Sequence, residues 1–245
     1  MANAGVTLWR QISEALASEI EEEVLMPGDR LPSSAELGTR FGVNRLTVLK
    51  AISHLQSEGL VRTERGGGIY VEKIIPYRMG ARTRFEENLL EQNRSPSREI
   101  LSVEQRRASK RIASALQIKT GDPVVLVVLV TAADGLPVSY NQNFFPQSRL
   151  PEIYDSFHRL SGTSRTDIST RAILASHGVS DFRRRSIRIR GRTPTPSEVA
   201  HLRMAPSETV FEVEVNNVDA QNVPVVHGIT AFCSTRVEFV MELDE

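Results

Sequence analysis

A single cysteine, Cys233, among 245 residues leaves no partner for a disulfide within the chain and too few thiolates for a cysteine metal site. It ends the apolar run Ile229-Thr230-Ala231-Phe232-Cys233 and reads as a small buried hydrophobe. No apolar run approaches the ~20 residues needed to cross a bilayer. The longest, 124–130, has the length of a strand and is soon followed by Asp134-Gly135. The start, Met1-Ala2-Asn3-Ala4-Gly5, lacks the basic and apolar regions of a secretory signal, so a cytoplasmic location and no membrane partner are expected. Charge of one sign is missing too: 30 basic residues face 30 acidic ones, so what matters is where the charges sit. There is no Gly-x-Ser-x-Gly nucleophile motif and no dinucleotide-binding glycine loop. His158, His177 and His201 have no metal-ligand spacing. Catalytic residues, a metal and a cofactor are therefore not expected.

The chain is long enough for two domains, given roughly 100–200 residues for each. At 40% hydrophobic residues it can fill ordinary cores. Leu8, Ile12, Ala15, Leu16 and Ile20 recur at helical spacing, predicting a helix over 7–24 that Pro27-Gly28-Asp29 stops. Ser33 and Glu36 have the spacing of a capping box at the head of a second helix, which Gly42 ends. Asn44 is a good N-cap for a third, with Val48, Ala51, Ile52 and Leu55 turned inward. Two short strands, 60–63 and 69–72, flank Gly66-Gly67-Gly68, whose missing side chains allow a tight tip and close approach to another surface. Three helices and a glycine-tipped hairpin predict a winged helix-turn-helix over 1–73.

Periodicity fails over 73–82, and a linker is placed at 74–82. The remainder, 83–245, alternates strands and short helices, predicting an α+β domain on an antiparallel sheet. The expected strands are 97–106, 124–133, 137–145, 182–190, 210–218, 223–232 and 237–243. The expected helices are 84–92, 109–116, 166–176 and 196–202, the last with Thr195, Pro196 and Glu198 at N-cap, N1 and N3.

Charge supports contact with a polyanion. Arg40, Arg45, Lys50 and His54 populate 40–57, which holds no acid, while acids crowd the first helix. With Val48, Ile52 and Leu55 inward, Arg45 and Thr47 face outward where a helix enters the major groove, and Arg45 suits bidentate pairing to guanine. Thr47, Ser33 and Ser34 suit hydrogen bonds to phosphate, helped by helix N-terminal amides. Lys50, Arg62 and Arg65 suit phosphate charge, and Gly67 marks the wing tip. Double-stranded DNA is the expected partner, and a homodimer reading two half-sites follows from one such domain reading only one.

The stretches Leu31-Pro32-Ser33-Ser34-Ala35-Glu36-Leu37, Arg40-Phe41-Gly42-Val43-Asn44-Arg45-Leu46-Thr47-Val48 and Glu58-Gly59-Leu60-Val61, with Gly66-Gly67-Gly68, resemble the N-terminal domain of the GntR superfamily of transcription regulators. One departure is Leu49, where members often carry arginine. The rest resembles the effector domain of the HutC subfamily, a UTRA-type fold similar to chorismate lyase. The stretches that carry this resemblance are Arg84-Phe85-Glu86-Glu87-Asn88-Leu89-Leu90, Asp134-Gly135-Leu136-Pro137-Val138, Tyr140-Asn141-Gln142-Asn143-Phe144-Phe145-Pro146, His177-Gly178-Val179, and Asn222-Val223-Pro224-Val225 with Gly228. Its Arg-Phe-x-x-Asn-Leu-Leu start is similar to PhnF-type regulators of phosphonate utilisation. The resemblance implies a small anionic effector, such as a phosphonate or phosphate ester, and a repressor. Arg84, Phe85 and Asn88 at one helix start combine a cation, free amides and a side-chain amide, an expected anion pocket. Tyr140, Asn141, Arg171 and His227 are further candidates to line it. The subfamily often places arginines on the strand before the Asp-Gly turn; here that strand reads Leu129-Val130-Thr131-Ala132-Ala133. The run 183–192 alternates Ile187 and Ile189 with Arg188, Arg190 and Arg192, giving an arginine-lined strand face suited to solvent, a subunit contact or an anionic ligand. Two rival readings stay open: a lyase-like enzyme domain fused to a DNA-binding module, and a purely structural C-terminal domain.

Overall fold

The first apolar stripe folds as α1 (Leu8–Glu21), which buries Ile12 and Leu16. It stops short of 24, and Glu23 turns left-handed at φ 57° on the way to Pro27-Gly28. The capping box is present on α2 (Ser34–Phe41), and Gly42 ends that helix at φ 64°. In α3 (Arg45–Ser57) the Asn44 side chain accepts from the Thr47 amide at 2.9 Å. Val48, Ala51, Ile52 and Leu55 are all buried against Ile12, Leu16 and Leu37. Full burial of side chains such as Leu16, Leu37 and Leu55 contributes about 2–3 kcal/mol each, which holds three short helices at fixed angles. The hairpin β1 (Val61–Glu64) and β2 (Gly68–Val71) closes this core with Val61 and Val71. Arg30 bridges to Tyr70 beside it. Gly68 sits at φ 115°, and a Cβ there would lie 2.6 Å from Arg30 Nε, so the position requires glycine.

The computed structural model describes residues 7–64, 68–72, 74–80, 85–162, 164–166 and 168–241. The chain divides into two compact units, 1–75 and 76–245. Within the stretch expected to be a linker, β3 (Ile75–Arg78) forms instead and pairs with β11 (Val237–Val240). Ile75 and Tyr77 are buried while Arg78 is exposed. This is strand alternation, obscured in the sequence by Pro76, which an edge strand tolerates.

The second unit is built on a seven-stranded antiparallel sheet. Its strands are β4 (Pro96–Arg107), β5 (Pro123–Ala133), β6 (Leu136–Pro146), β7 (Ser164–Arg165), β8 (Phe182–Arg192), β9 (Val210–Asp219) and β10 (Pro224–Cys233), in the order β7-β4-β5-β6-β10-β9-β8. Asp134 and Gly135, at φ 52° and 80°, make the tight turn between β5 and β6. Both faces of β5 are covered, so its run of valines need not alternate. Val125, Val127 and Leu129 pack with Phe145 and with α6 (Ile153–His158) and α7 (Thr170–Ser176). Val124 packs on the other side with α5 (Lys110–Leu116). The remaining helices are α4 (Phe85–Glu91) and α8 (Pro196–Leu202), the latter with a full capping box. Sequence periodicity anticipates neither α6 nor β7, and it begins α7 four residues early. Only Ile153 and Phe157 mark α6, one helical step and too little for a pattern. Cys233 is buried and unpaired, and burial pushes its thiol up.

Candidate DNA-reading face and effector cavity

The outward side of α3 carries Arg45, Leu46, Leu49 and Ser53, all exposed. Asn44 holds the helix start: its Oδ1 accepts from both the amide and the hydroxyl of Thr47, at 2.9 and 3.0 Å. Ser33 accepts from the Glu36 amide, and its own amide donates to Glu36 Oε2 at 2.7 Å, which with the Ser33 hydroxyl holds that carboxyl below its usual range. Ser34 is half-buried at N1 of α2.

The other basic residues expected on this face are already engaged. Arg40 pairs with Glu19 of α1 and lies over the Phe41 ring at 5.0 Å. The Lys50 ammonium sits 5.1 Å from the centre of the Trp9 ring, and His54 meets the same ring edge-on at 5.2 Å. His54 is also 3.4 Å from Glu58. Lys50 and His54 are four apart and flank the inward stripe, so the helical turn delivers both to α1. Arg62 lies over Tyr70 and reaches the Val71 carbonyl at 3.4 Å, which ties it to the hairpin. Arg65 and Gly67 lie outside the described residues. Exposed Arg30, beside the hairpin, was missed because no periodic pattern includes it.

In the second unit a cavity of about 330 Å³ opens on one face of the sheet. Strand parity decides what lines it. Asn141 and Asn143 of β6, Val213, Val215 and Asn217 of β9, and Val226, Gly228 and Thr230 of β10 all point in. Four arginines, Arg98, Arg165, Arg171 and Arg184, face two glutamates, Glu86 and Glu87. Arg98 pairs with Glu86 and donates to the Ile168 carbonyl and Thr170 hydroxyl at 3.2 and 3.3 Å. Arg171 lies 3.8 Å from Glu87 and over the Phe182 ring. Arg184 donates to the Gly80 carbonyl at 2.7 Å and to the Tyr77 hydroxyl, both uncharged partners. Asn141 is held by Thr230, whose hydroxyl donates to its Oδ1 at 3.1 Å. A Cβ at Gly228 would come 3.0 Å from Asn143 Oδ1, so glycine leaves that amide its room.

Of the residues proposed from sequence for an effector site, Phe85, Asn141 and Arg171 line this cavity, and Arg84 lies outside the described residues. Asn88, Tyr140 and His227 do not. Asn88 is buried and accepts from Gln92 at 3.0 Å. Tyr140 and His227 alternate with cavity residues and so belong to the opposite face. Tyr140 stacks near His201 there, and its hydroxyl accepts from Ser197 at 3.4 Å. His227 Nδ1 is 2.5 Å from Asn216 Oδ1, and burial lowers its proton affinity despite Glu214 at 3.6 Å.

Arg184 could not be located from sequence because a register shift in β8 between Arg184 and Ser186 reverses its parity. Arg184 pairs with Asn217 on the cavity face, while Arg188 and Arg190 lie opposite Glu214 and Glu212 on the other. There Arg192 joins Glu198 and Glu212 at 2.6 and 2.7 Å. Burial works most strongly against both carboxylates, but the hydrogen bonds and charge of Arg192, with Thr195 at Glu198 and Arg190 at Glu212, together outweigh it and leave both below their ordinary range. Among the described residues no group of three His, Cys, Asp or Glu is placed to hold a metal, and no helix is long and apolar enough to cross a membrane.

A winged helix-turn-helix with an open recognition face, joined to a domain with a charged cavity, defines a DNA-binding, ligand-responsive transcription regulator. Comparison with known proteins agrees. Residues 8–71 match the bacterial regulatory proteins of the gntR family, and residues 91–238 match the UTRA domain. The chain belongs to the gntR family of transcription regulators with a UTRA domain. It is 32% identical over 240 residues to the HTH-type transcriptional regulator RB1450 of Rhizobium meliloti (strain 1021), covering 97% of this chain and 96% of that one. It is 27% identical over 238 residues to the probable transcriptional regulator PhnF of Escherichia coli (strain K12), covering 96% and 95%. The crystal structure of PhnF from Mycobacterium smegmatis has the same fold, with a TM-score of 0.63 at 21% identity over 95% of this chain and 99% of that one. These relatives are regulators, not enzymes.

Proposed function

We propose that this regulator is a cytoplasmic homodimeric repressor that binds an inverted-repeat operator and is released by a small anionic metabolite, a phosphonate or phosphate ester. The cavity carries the effector reading. Among the described residues, four arginines outnumber two glutamates, and the partners of Arg184 are uncharged. A phosphoryl oxygen offers Arg184 an ionised acceptor, which the Gly80 carbonyl and the Tyr77 hydroxyl are not. Arginines before the Asp-Gly turn are absent, but β4, β7, α7 and β8 supply cations to the same cavity from other directions. Asn141, Asn143, Asn217 and Thr230 give it a polar floor suited to the rest of such a molecule.

A ligand changes DNA affinity only if it binds one arrangement of the protein better than another. Arg184 holds Tyr77 and Gly80, which follow in the chain directly after the winged-helix unit ends at 75. An anion that draws Arg184 away loosens this anchor. A coupling of about 1–3 kcal/mol suffices to change operator occupancy by one or two orders of magnitude. Calorimetric titration of phosphonates and phosphate esters, followed by operator binding with and without the ligand, tests both parts. Binding without any change in DNA affinity would leave the domain a passive binder.

A further inference from the structure

DNA reading by α3 gives Arg45 a task but leaves two exposed leucines of the same helix without one. We propose that Leu46 and Leu49 of α3 form an apolar reading patch that packs on the 5-methyl groups of two thymines in the major groove. Leu46 is 77% exposed and Leu49 40% exposed, whereas Val48, Ala51, Ile52 and Leu55 of the same helix fill the core. Single exposed leucines are ordinary on a protein surface. These two are three residues apart, so they share a face, with Cβ atoms about 5–6 Å apart. Their axial offset of about 4.5 Å exceeds one base step of about 3.4 Å, so the pair spans neighbouring steps.

The surroundings specify a duplex rather than another protein. Arg45 stands exposed beside the pair, the Lys50 ammonium is held on the same helix over Trp9, and no acidic residue occurs over 40–57. The patch is continuous with the face that this fold turns into the groove. Chemistry then selects the base. In the major groove thymine alone presents a methyl group, while guanine and adenine offer N7, and guanine O6, to whatever faces them. A leucine against those acceptors leaves them unpaired and dry, so the patch rewards thymine and penalises purines at one stroke. Removing one buried methyl group weakens binding about fourfold, and removing two about 15-fold.

The proposal rests on DNA binding by α3, and the test keeps the two separable. The full-length protein is used to enrich a binding sequence from a random duplex pool. Each thymine is then replaced singly by deoxyuridine, which deletes only the methyl. A loss of about fourfold is expected at two nearby positions of each half-site. Leu46→Ala should abolish the uracil effect at one position and Leu49→Ala at the other, with melting temperatures unchanged because both side chains are at the surface. Leu49→Arg should re-select guanine at its position. Uracil tolerated everywhere, while Arg45→Ala still weakens the enriched site, would overturn the leucine patch and leave DNA reading intact. Uracil tolerance combined with loss of self-association in the leucine variants would reassign the patch to a protein contact. A pool that yields no enriched sequence would sink both.

Discussion

Arg184→Ala is the substitution that most directly tests how the cavity works. The guanidinium donates to the Gly80 carbonyl at 2.7 Å and to the Tyr77 hydroxyl, and it lies 5.5 Å from the centre of the Tyr77 ring. A hydrogen bond from a charged group contributes about 1.5–3 kcal/mol. If an anion takes up that donor, its loss should raise Kd by about 10- to 150-fold. Arg184 is only half-buried, so the cost to stability should be smaller than for a buried charge, about 1 kcal/mol or less. The control is Tyr77→Phe. It keeps the ring packed against Phe85 and Phe232 but frees one donor of Arg184, so effector affinity should hold or improve. Both variants, with the wild type, would be titrated by calorimetry with 2-aminoethylphosphonate, methylphosphonate and glycerol phosphate. Unchanged affinity in Arg184→Ala would refute its role as the anion donor. Absence of binding by the wild type to all three would refute the ligand class.

Arg45→Ala should cost about 1–3 kcal/mol at the operator and flatten discrimination between sequences, whereas Lys50→Ala should weaken all DNA evenly and reduce the salt slope; equal losses on operator and random duplex would show that Arg45 is not a base reader. Analytical ultracentrifugation on a full operator should give two chains per duplex, and a single chain at saturation would exclude the dimer. His227 should make the second unit acid-sensitive, since burial places its folded pKa below the ordinary 6.5. Above that value both states are neutral and stability is complete. Below it the unfolded chain takes the proton first, and stability falls by up to about 1.4 kcal/mol per pH unit until the folded imidazole, between Glu214 and Arg111, is protonated. Melting curves from pH 7.5 down to 5.5 should therefore be steeper for the wild type than for His227→Asn; parallel curves would assign the acid sensitivity elsewhere.

The winged helix-turn-helix was legible because its signals are local. Ser33 with Glu36, Asn44 with Thr47, and Gly42 each act within four residues, and a 3.6-residue period places Val48, Ala51, Ile52 and Leu55 inward without knowledge of the partner. The flanks of α3 were less legible. Whether Lys50 projects to solvent or over Trp9 depends on how α1 crosses α3, and no single-helix pattern contains that information. In the second unit, strands and turns followed from composition and from Asp134-Gly135. The cavity did not, because a strand's pattern says that its two faces differ and not which one is roofed by α4 and α7. Tyr140 and His227 were assigned to the cavity for their chemistry, and parity put them on the other side.

That parity also divides the arginines of the second unit between its two faces. The arginine run of β8 supplies Arg184 to the cavity and Arg188, Arg190 and Arg192 to the opposite face, where Arg190 and Arg192 join an ion network, and the division falls at one register shift. On the network side, Arg111, Arg190 and Arg192 already meet the carboxylates of Glu198, Glu212 and Glu214, while Arg188 stands exposed on the same face. On the cavity side, Arg184 meets a carbonyl and a phenol among the described residues. A regular strand would carry Arg184 to the same side as Arg188 and Arg190 and leave the cavity with three arginines against two glutamates, two of those arginines already engaged by Glu86 and Glu87. On the anionic-effector reading proposed above, the bulge is what gives the cavity its fourth arginine, and it does so on the strand whose arginine also grips the segment following the DNA-binding unit.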